Sequence, residues 1–253
     1  MKVLVACEES QAVTIELRKL GHEAFSCDII ECSGGHPEWH IRQDVLEILN
    51  PKEYKTAAGS WYGGYDFEFV QGIMFSTCDR KPHFIRGKWD MIIAFPPCTY
   101  LSNAGACRLY PKKGQLNMER YQKGLEAKEF FLKFLNADCP RIAVENPVSS
   151  SVFEMPKHTQ EIQPYEYQRM NDEEQVVHPY TQKTRLWLKG LPKLVPTSPD
   201  AVPVGPYCPA GTGRKDPTKY GSAKRGEDAK NRAKTFLGIA KAMAEQWGGV
   251  ADG

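Results

Sequence analysis

Short apolar runs alternate with amphipathic stretches through the first 150 residues. Lys2 to Cys7 is a β-branched apolar run, which predicts a buried strand. Ser10 is placed to cap a helix carrying Val13, Leu17 and Leu20 on one face, with Gly21 as its left-handed stop. Glu23 to Cys27 predicts a second strand ending at Asp28, and Trp39 to Ile41 a third ending at Gln43-Asp44. Trp89 to Phe95 predicts a further buried strand, stopped by Pro96-Pro97 because a proline pair cannot continue a ladder. A long amphipathic helix is expected over Asn117 to Asn136, with Leu125, Phe130, Phe131, Phe134 and Leu135 on its apolar side, and another strand over Arg141 to Val144. This rhythm predicts an α/β, Rossmann-like fold: a mostly parallel sheet with helices on both faces.

The interval from Tyr54 to Lys88 breaks the rhythm. Its aromatic and glycine-rich pattern predicts a hairpin insertion formed by Phe67 to Phe75 and His83 to Ile85. Beyond Ser150, strands are expected over Gln163 to Gln168 and Thr184 to Leu188. Seven prolines between 192 and 217 predict a small irregular lobe, and Asn231 to Trp247 a closing amphipathic helix. The expected organisation is a core over 1–190, a Pro/Gly/basic segment over 191–230, and a closing helix over 231–253 that packs back on the core.

Ligands of such sheets sit at the carboxyl ends of the strands. Glu8, Asp28, Asp44, Cys98 and Glu145 all fall just past predicted strand ends, which marks them as candidates. In Pro96-Pro97-Cys98-Thr99-Tyr100-Leu101-Ser102-Asn103-Ala104-Gly105, two prolines hold a cysteine rigidly at that edge, where a thiolate can act as nucleophile.

This segment resembles the catalytic loop of the DNA cytosine-C5 methyltransferases: Pro-Pro-Cys, three residues, Ser, two residues, Gly. Ala143-Val144-Glu145-Asn146-Pro147 is similar to that family's Glu-Asn-Val motif, with Pro147 in place of valine. Thr181 to Trp187 is similar to its Gln-x-Arg-x-Arg strand, with Lys183 at the first arginine when aligned on Arg185. The resemblance covers most of residues 1–190 and is strongest to the short phage and prophage members. It implies a methyltransferase fold, S-adenosyl-L-methionine as cofactor and DNA as substrate. Cys98 is then the nucleophile on C6 of cytosine, Glu145 the residue that holds and protonates N3, and Arg185 with Lys183 the contacts to O2 and phosphate. Cofactor contacts are implied for Cys7, Glu8 and Ser10 in the first turn, Asp28 and Ile29 after strand two, Asp44 and Val45 after strand three, and Pro96. The family's first turn reads Phe-x-Gly-x-Gly, whereas Cys7-Glu8-Glu9-Ser10-Gln11 holds no glycine.

Charge adds one refinement. The 253 residues carry a formal charge of only +2, which excludes a polybasic protein that grips nucleic acid by charge alone. Residues 211 to 235 nevertheless hold eight Lys/Arg against three acids. Arg214, Lys215, Lys224 and Arg225 are therefore candidate phosphate contacts, with Ser102 of the catalytic loop beside them. Only 43 residues, Lys189 to Asn231, separate the arginine motif from the closing helix, so target recognition is expected to be short, relaxed or supplied by a partner protein or oligomer.

The longest apolar run, Met91 to Phe95, is five residues, which predicts no membrane span. Eight scattered cysteines without a CxxC point to a reducing, cytoplasmic compartment. Cys27, Cys32, His36 and His40 have zinc-like spacing, but read more simply as a loop over the cofactor pocket. Two other functions stay open: C5 modification of RNA, of a free nucleotide or with another donor group, and a non-enzymatic nucleic-acid- or zinc-binding protein on a decayed fold.

Overall fold

The computed structural model describes residues 1–61, 64–170, 175–206 and 235–249. Its centre is a seven-stranded sheet in the order β3-β2-β1-β7-β8-β13-β9. Five neighbouring strands are parallel: β3 (His40–Arg42), β2 (Glu23–Asp28), β1 (Lys2–Ala6), β7 (Met91–Ala94) and β8 (Ile142–Pro147). Strand β13 (Thr184–Lys189) runs antiparallel to both β8 and β9 (Gln160–Ile162). The molecule is therefore α/β with a mostly parallel sheet, as the alternating pattern predicts.

Period-two alternation explains how one short sequence serves two cores. In β1, Val3 and Val5 face α1 (Ala12–Lys19) and α4 (Leu237–Met243), together with Met91 and Ile93 of β7. Leu4 and Ala6 face the other way with Ile92 and Ala94, toward Phe131 and Phe134 of α3 (Met118–Leu135). Helices thus cover both faces, which is why these strands read as unbroken apolar runs. Asn117 begins α3 as its cap, its side chain accepting from the Arg120 amide at 3.0 Å. A Cβ at Gly124 would lie 2.2 Å from the Phe153 ring, so that glycine sets the close seat of α3 on the turn at 151–153.

The insertion is larger than the expected hairpin. A strand the pattern missed, β4 (Lys52–Trp61), joins β5 (Gly64–Ser76) and β6 (Pro82–Arg86) in a three-stranded antiparallel sheet. Strand β4 is an edge strand whose Lys52, Glu53 and Lys55 are exposed, so it carries no apolar alternation to read. The inner face of the insertion is core: Ile73, Phe75 and Ile85 pack with Phe25 and Trp89, the Phe25 and Phe75 rings 5.0 Å apart. Fully buried Trp89 donates its indole N–H to the Ile48 carbonyl at 2.7 Å.

Other boundaries also move. The strand expected over Gln163 to Gln168 is instead a 3-10 turn, Pro164–Tyr167, and the strand lies just before it as β9. Pro164 has no N–H to give a ladder, and the Glu166 carboxylate accepts from the Gln163 amide at 2.6 Å, locking the turn. A short helix, α2 (Ala106–Leu109), follows the Cys98 loop. Outside the central sheet lie two small ladders, β10 (Arg169–Met170) with β11 (Gln175–Val176), and β12 (Tyr180–Thr181) with β14 (Gly205–Pro206), so that only β14 falls in the expected lobe. The closing helix begins at Leu237 and continues as a π-helical turn over Ala244–Gly248; the expected start at 231–234 lies outside the described residues. Among the described residues, no helix is long and apolar enough to cross a membrane.

Candidate active site at the carboxyl edge of the sheet

Chain direction creates a crevice between β1 and β7. From β1 the chain turns to α1 on one face; from β7 it proceeds to α3 on the other, so the two connections diverge. Such switch points are the usual ligand crevices of open α/β sheets. Here a cavity of about 330 Å³ is lined by Cys7 to Ser10, Asp28, Ile30, Phe95 to Thr99, Glu145, Pro147, Gln182 and Thr235. Of the candidates read from the sequence, Cys7, Glu8, Ser10, Asp28, Pro96, Cys98 and Glu145 come together in this one place.

The Cys98 loop is held by its neighbour. Asn146, fully buried, donates its amide to the Pro96 carbonyl at 3.3 Å. Beyond the cysteine the backbone zips onto the segment after Glu145: Asn103 N–H to Val148 O at 2.8 Å, Ser150 N–H to Leu101 O at 2.8 Å, and a bridge between Ser102 and Ser149. The amides of Leu101 and Ser102 both donate to the Cys98 carbonyl, at 3.1 and 2.8 Å, closing the turn. Arg120 donates to the Thr99 carbonyl at 2.7 Å, and a Cβ at Gly105 would stand 2.7 Å from that guanidinium. The spacing of Cys98, Ser102 and Gly105 therefore encodes a fixed loop. Ser102 serves it through the backbone and does not line the cavity.

Two acids at the cavity have strongly raised pKa values. Burial lifts Glu145 to about 7, opposed by a hydrogen bond from the Thr184 side chain. The residue as a whole is half-buried, but its carboxyl group is enclosed, so the enclosure governs its titration. Glu8 is also lifted to about 7 by burial, against hydrogen bonds from Val13 and Thr14. Its carboxylate accepts from the Val13 amide and the Thr14 hydroxyl, each at 2.7 Å. Glu8, not Ser10, thus caps α1, because Gln11 at the cap position is left-handed and makes no side-chain cap. Burial holds the Cys7 thiol well above the ordinary range and pushes Cys27 up to about 12, so neither is suited to attack.

The glycine-free turn has glycine-like geometry. Cys7 and Gln11 take positive φ, 58° and 60°, at its two ends. The Gln11 amide is spent on the facing loop: it donates to the His36 carbonyl at 2.9 Å and accepts from the His36 amide at 3.0 Å. In that loop a Cβ at Gly34 would lie 2.6 Å from both Gln11 Cβ and the Ser10 carbonyl. The close approach that a glycine in the turn would permit is supplied by Gly34 from across the gap.

Several candidates lie elsewhere. Asp44 is exposed and caps the next turn, accepting from the Leu46 amide at 3.0 Å; Val45 beside it is core. Ile29 is 72% exposed and points away, while Ile30 takes the place at the cavity. Lys183 and Arg185 do not line the cavity. Both are drawn off by Glu161, each at 3.0 Å, and Gln182 stands at the wall instead. Arg214, Lys215, Lys224 and Arg225 lie outside the described residues. The zinc-like set is also dispersed. Cys27 donates to the Gln43 carbonyl, both His40 nitrogens are engaged by Ser26 and Ile30, and His36 pairs with Glu38. No group of three or more His, Cys, Asp or Glu among the described residues is arranged to hold a metal ion.

The sequence pattern missed Glu9, Asn146, Thr184 and Gln182. The first had a signal, its place directly beside Glu8 in the turn after β1. No protein-family model matches this chain, and no curated protein matches it.

Proposed function

We propose that this chain is a DNA cytosine-C5 methyltransferase that uses S-adenosylmethionine and a covalent Cys98 adduct, on a Rossmann-like methyltransferase fold. The observation that carries the reading is the meeting of Cys98 and Glu145, the second with a pKa of about 7, at one cavity of the sheet's carboxyl edge. The cofactor fits the cavity by charge. Glu8, Glu9, Asp28 and Glu145 line it, no Lys, Arg or His does so among the described residues, and Glu9 Oε2 is buried without a partner. An anionic ligand finds no basic side chain in such a wall, whereas a cationic one finds an unpartnered acceptor in Glu9.

When bound, S-adenosylmethionine supplies an electrophilic methyl group. The work of the chain's own residues follows from their chemistry. The Cys98 thiolate bonds to C6 as Glu145 gives its proton to N3: the C5–C6 pair shifts to C4–C5, the C4–N3 pair takes up the proton, and C5 becomes the nucleophilic carbon of an enamine. A carboxylic acid that stays protonated near neutral pH is the right donor for that step. After C5 is alkylated, a base removes its proton, the C5–C6 double bond re-forms, the Cys98 thiolate leaves and N3 returns its proton to Glu145. Gln182, whose amide can donate to O2, serves at the wall; Arg185 and Lys183 stay with Glu161 until nucleic acid draws them away. The Asn146 amide fixes Pro96 and so the direction of attack. A base in a duplex reaches this cavity only after leaving its stack.

The test is mass spectrometry of nucleosides from DNA incubated with the protein and S-adenosylmethionine. The expected product is 5-methylcytosine, lost in Cys98→Ser. Product persisting in that variant overturns the mechanism. Parallel incubations with transfer RNA and free nucleotides assign the substrate class.

A further inference from the structure

We propose that Glu9 is a binding residue that reads the α-ammonium group at the amino-acid end of the cofactor; the assignment rests on the methyltransferase reading above.

Four acidic side chains line the cavity, and three have partners within the chain. Glu8 accepts from Val13 and Thr14 at the start of α1. Asp28 accepts the Ile30 amide at 3.2 Å. Glu145 is enclosed, and Thr184 beside it restrains its titration. Glu9 differs: its Oε2 is shielded from water and no donor reaches it. The backbone around it is pinned, since the Glu9 carbonyl accepts the Ser33 amide at 2.8 Å and positive-φ residues flank the turn at Cys7 and Gln11. Glu9 as a whole is half-buried, and it is the inner oxygen, Oε2, that the turn shields.

A shielded acceptor without a donor is costly to keep, and a ligand that brings the donor recovers that cost on binding. The wall holds carboxylates with no basic side chain among its described residues, so the donor it favours is itself cationic. A cationic donor also forms the shorter and stronger class of hydrogen bond. The sulfonium of the cofactor is cationic but has no proton to give. Its α-ammonium is cationic and carries three.

Calorimetric titration of the full chain tests this with S-adenosylmethionine, S-adenosylhomocysteine and deaminated S-adenosylhomocysteine, in which hydrogen replaces the α-ammonium. Wild type is expected to bind S-adenosylhomocysteine about tenfold or more tightly than its deaminated form, the effect of one charge-assisted hydrogen bond. Glu9→Gln is expected to erase that ratio by weakening S-adenosylhomocysteine alone. Equal binding of the two by wild type overturns the assignment, as does an equal loss for both in Glu9→Gln. Should that variant not fold, Glu9→Asp replaces it: a reduced ratio upholds the assignment and an unchanged one overturns it. Wild type that binds none of the three overturns the methyltransferase reading itself, a result distinct from the others.

Discussion

Single side chains at this site are tuned by their neighbours more than by their own chemistry. Glu145 is an ordinary carboxylic acid that enclosure lifts to about 7 and the Thr184 hydrogen bond restrains. As proton donor it is competent below that value, so turnover should fall as pH rises through about 7. Thr184→Val removes the restraint and raises the pKa further. The alkaline limb of the pH–kcat profile is then expected to move to higher pH, and a limb that stays or moves down would show that Thr184 does not act on Glu145. The same logic separates the cysteines. Cys98 lies past a proline pair at the cavity, whereas enclosure of the thiol raises the pKa of Cys7, in the turn after β1, and of Cys27, within β2.

Among the elements, the turn from β1 to α1 depends on a residue outside itself. Gly34→Ala places a Cβ 2.6 Å from backbone and side-chain atoms of that turn, so the turn or the facing loop must shift. Overpacking of this kind costs about 1–3 kcal/mol. The expected outcome is a lowered denaturation midpoint together with weaker binding of S-adenosylmethionine by calorimetry. This dependence also marks the limit of what the sequence made legible. Strands β1, β2, β7 and β8 and helix α3 were readable because each is framed by its own punctuation: Gly21, Asp28, Pro96-Pro97, Asn117. Cys98 and Glu145 were readable because they follow such strands. The partners that settle a side chain's role come from distant sequence. Nothing near Lys183 and Arg185 announces that Glu161 will hold both, and nothing near Asp44 announces that it will cap the turn after it. Likewise β4 hides because an exposed edge strand need not alternate.

For the whole molecule, the insertion is part of the core and not an ornament on it. Phe75 is 4% exposed and stacks at 5.8 Å against Trp89, which in turn lies beneath the central sheet. Phe75→Ala is expected to cost about 3–5 kcal/mol, the usual range for a buried phenylalanine. Urea unfolding followed by tryptophan fluorescence and by far-ultraviolet circular dichroism should shift together. Separate transitions would mean that the three-stranded sheet melts as its own unit.

One strand runs against the others, and this reverses how a wall of the cavity is written. In the parallel strands β1, β2, β7 and β8, the residues that reach the carboxyl edge come at the end of each strand or after it. In β13 the edge is where the strand begins, so Gln182 and Thr184 reach it at the opening of their element. Position 184 therefore answers to two demands, fit within the sheet and the titration of Glu145, while Lys189 at the far end reaches the Ala137 carbonyl, away from the cavity. Substitutions along β13 are therefore expected to disturb the cavity most at its first residue and least at its last, opposite in sense to the strand it pairs with.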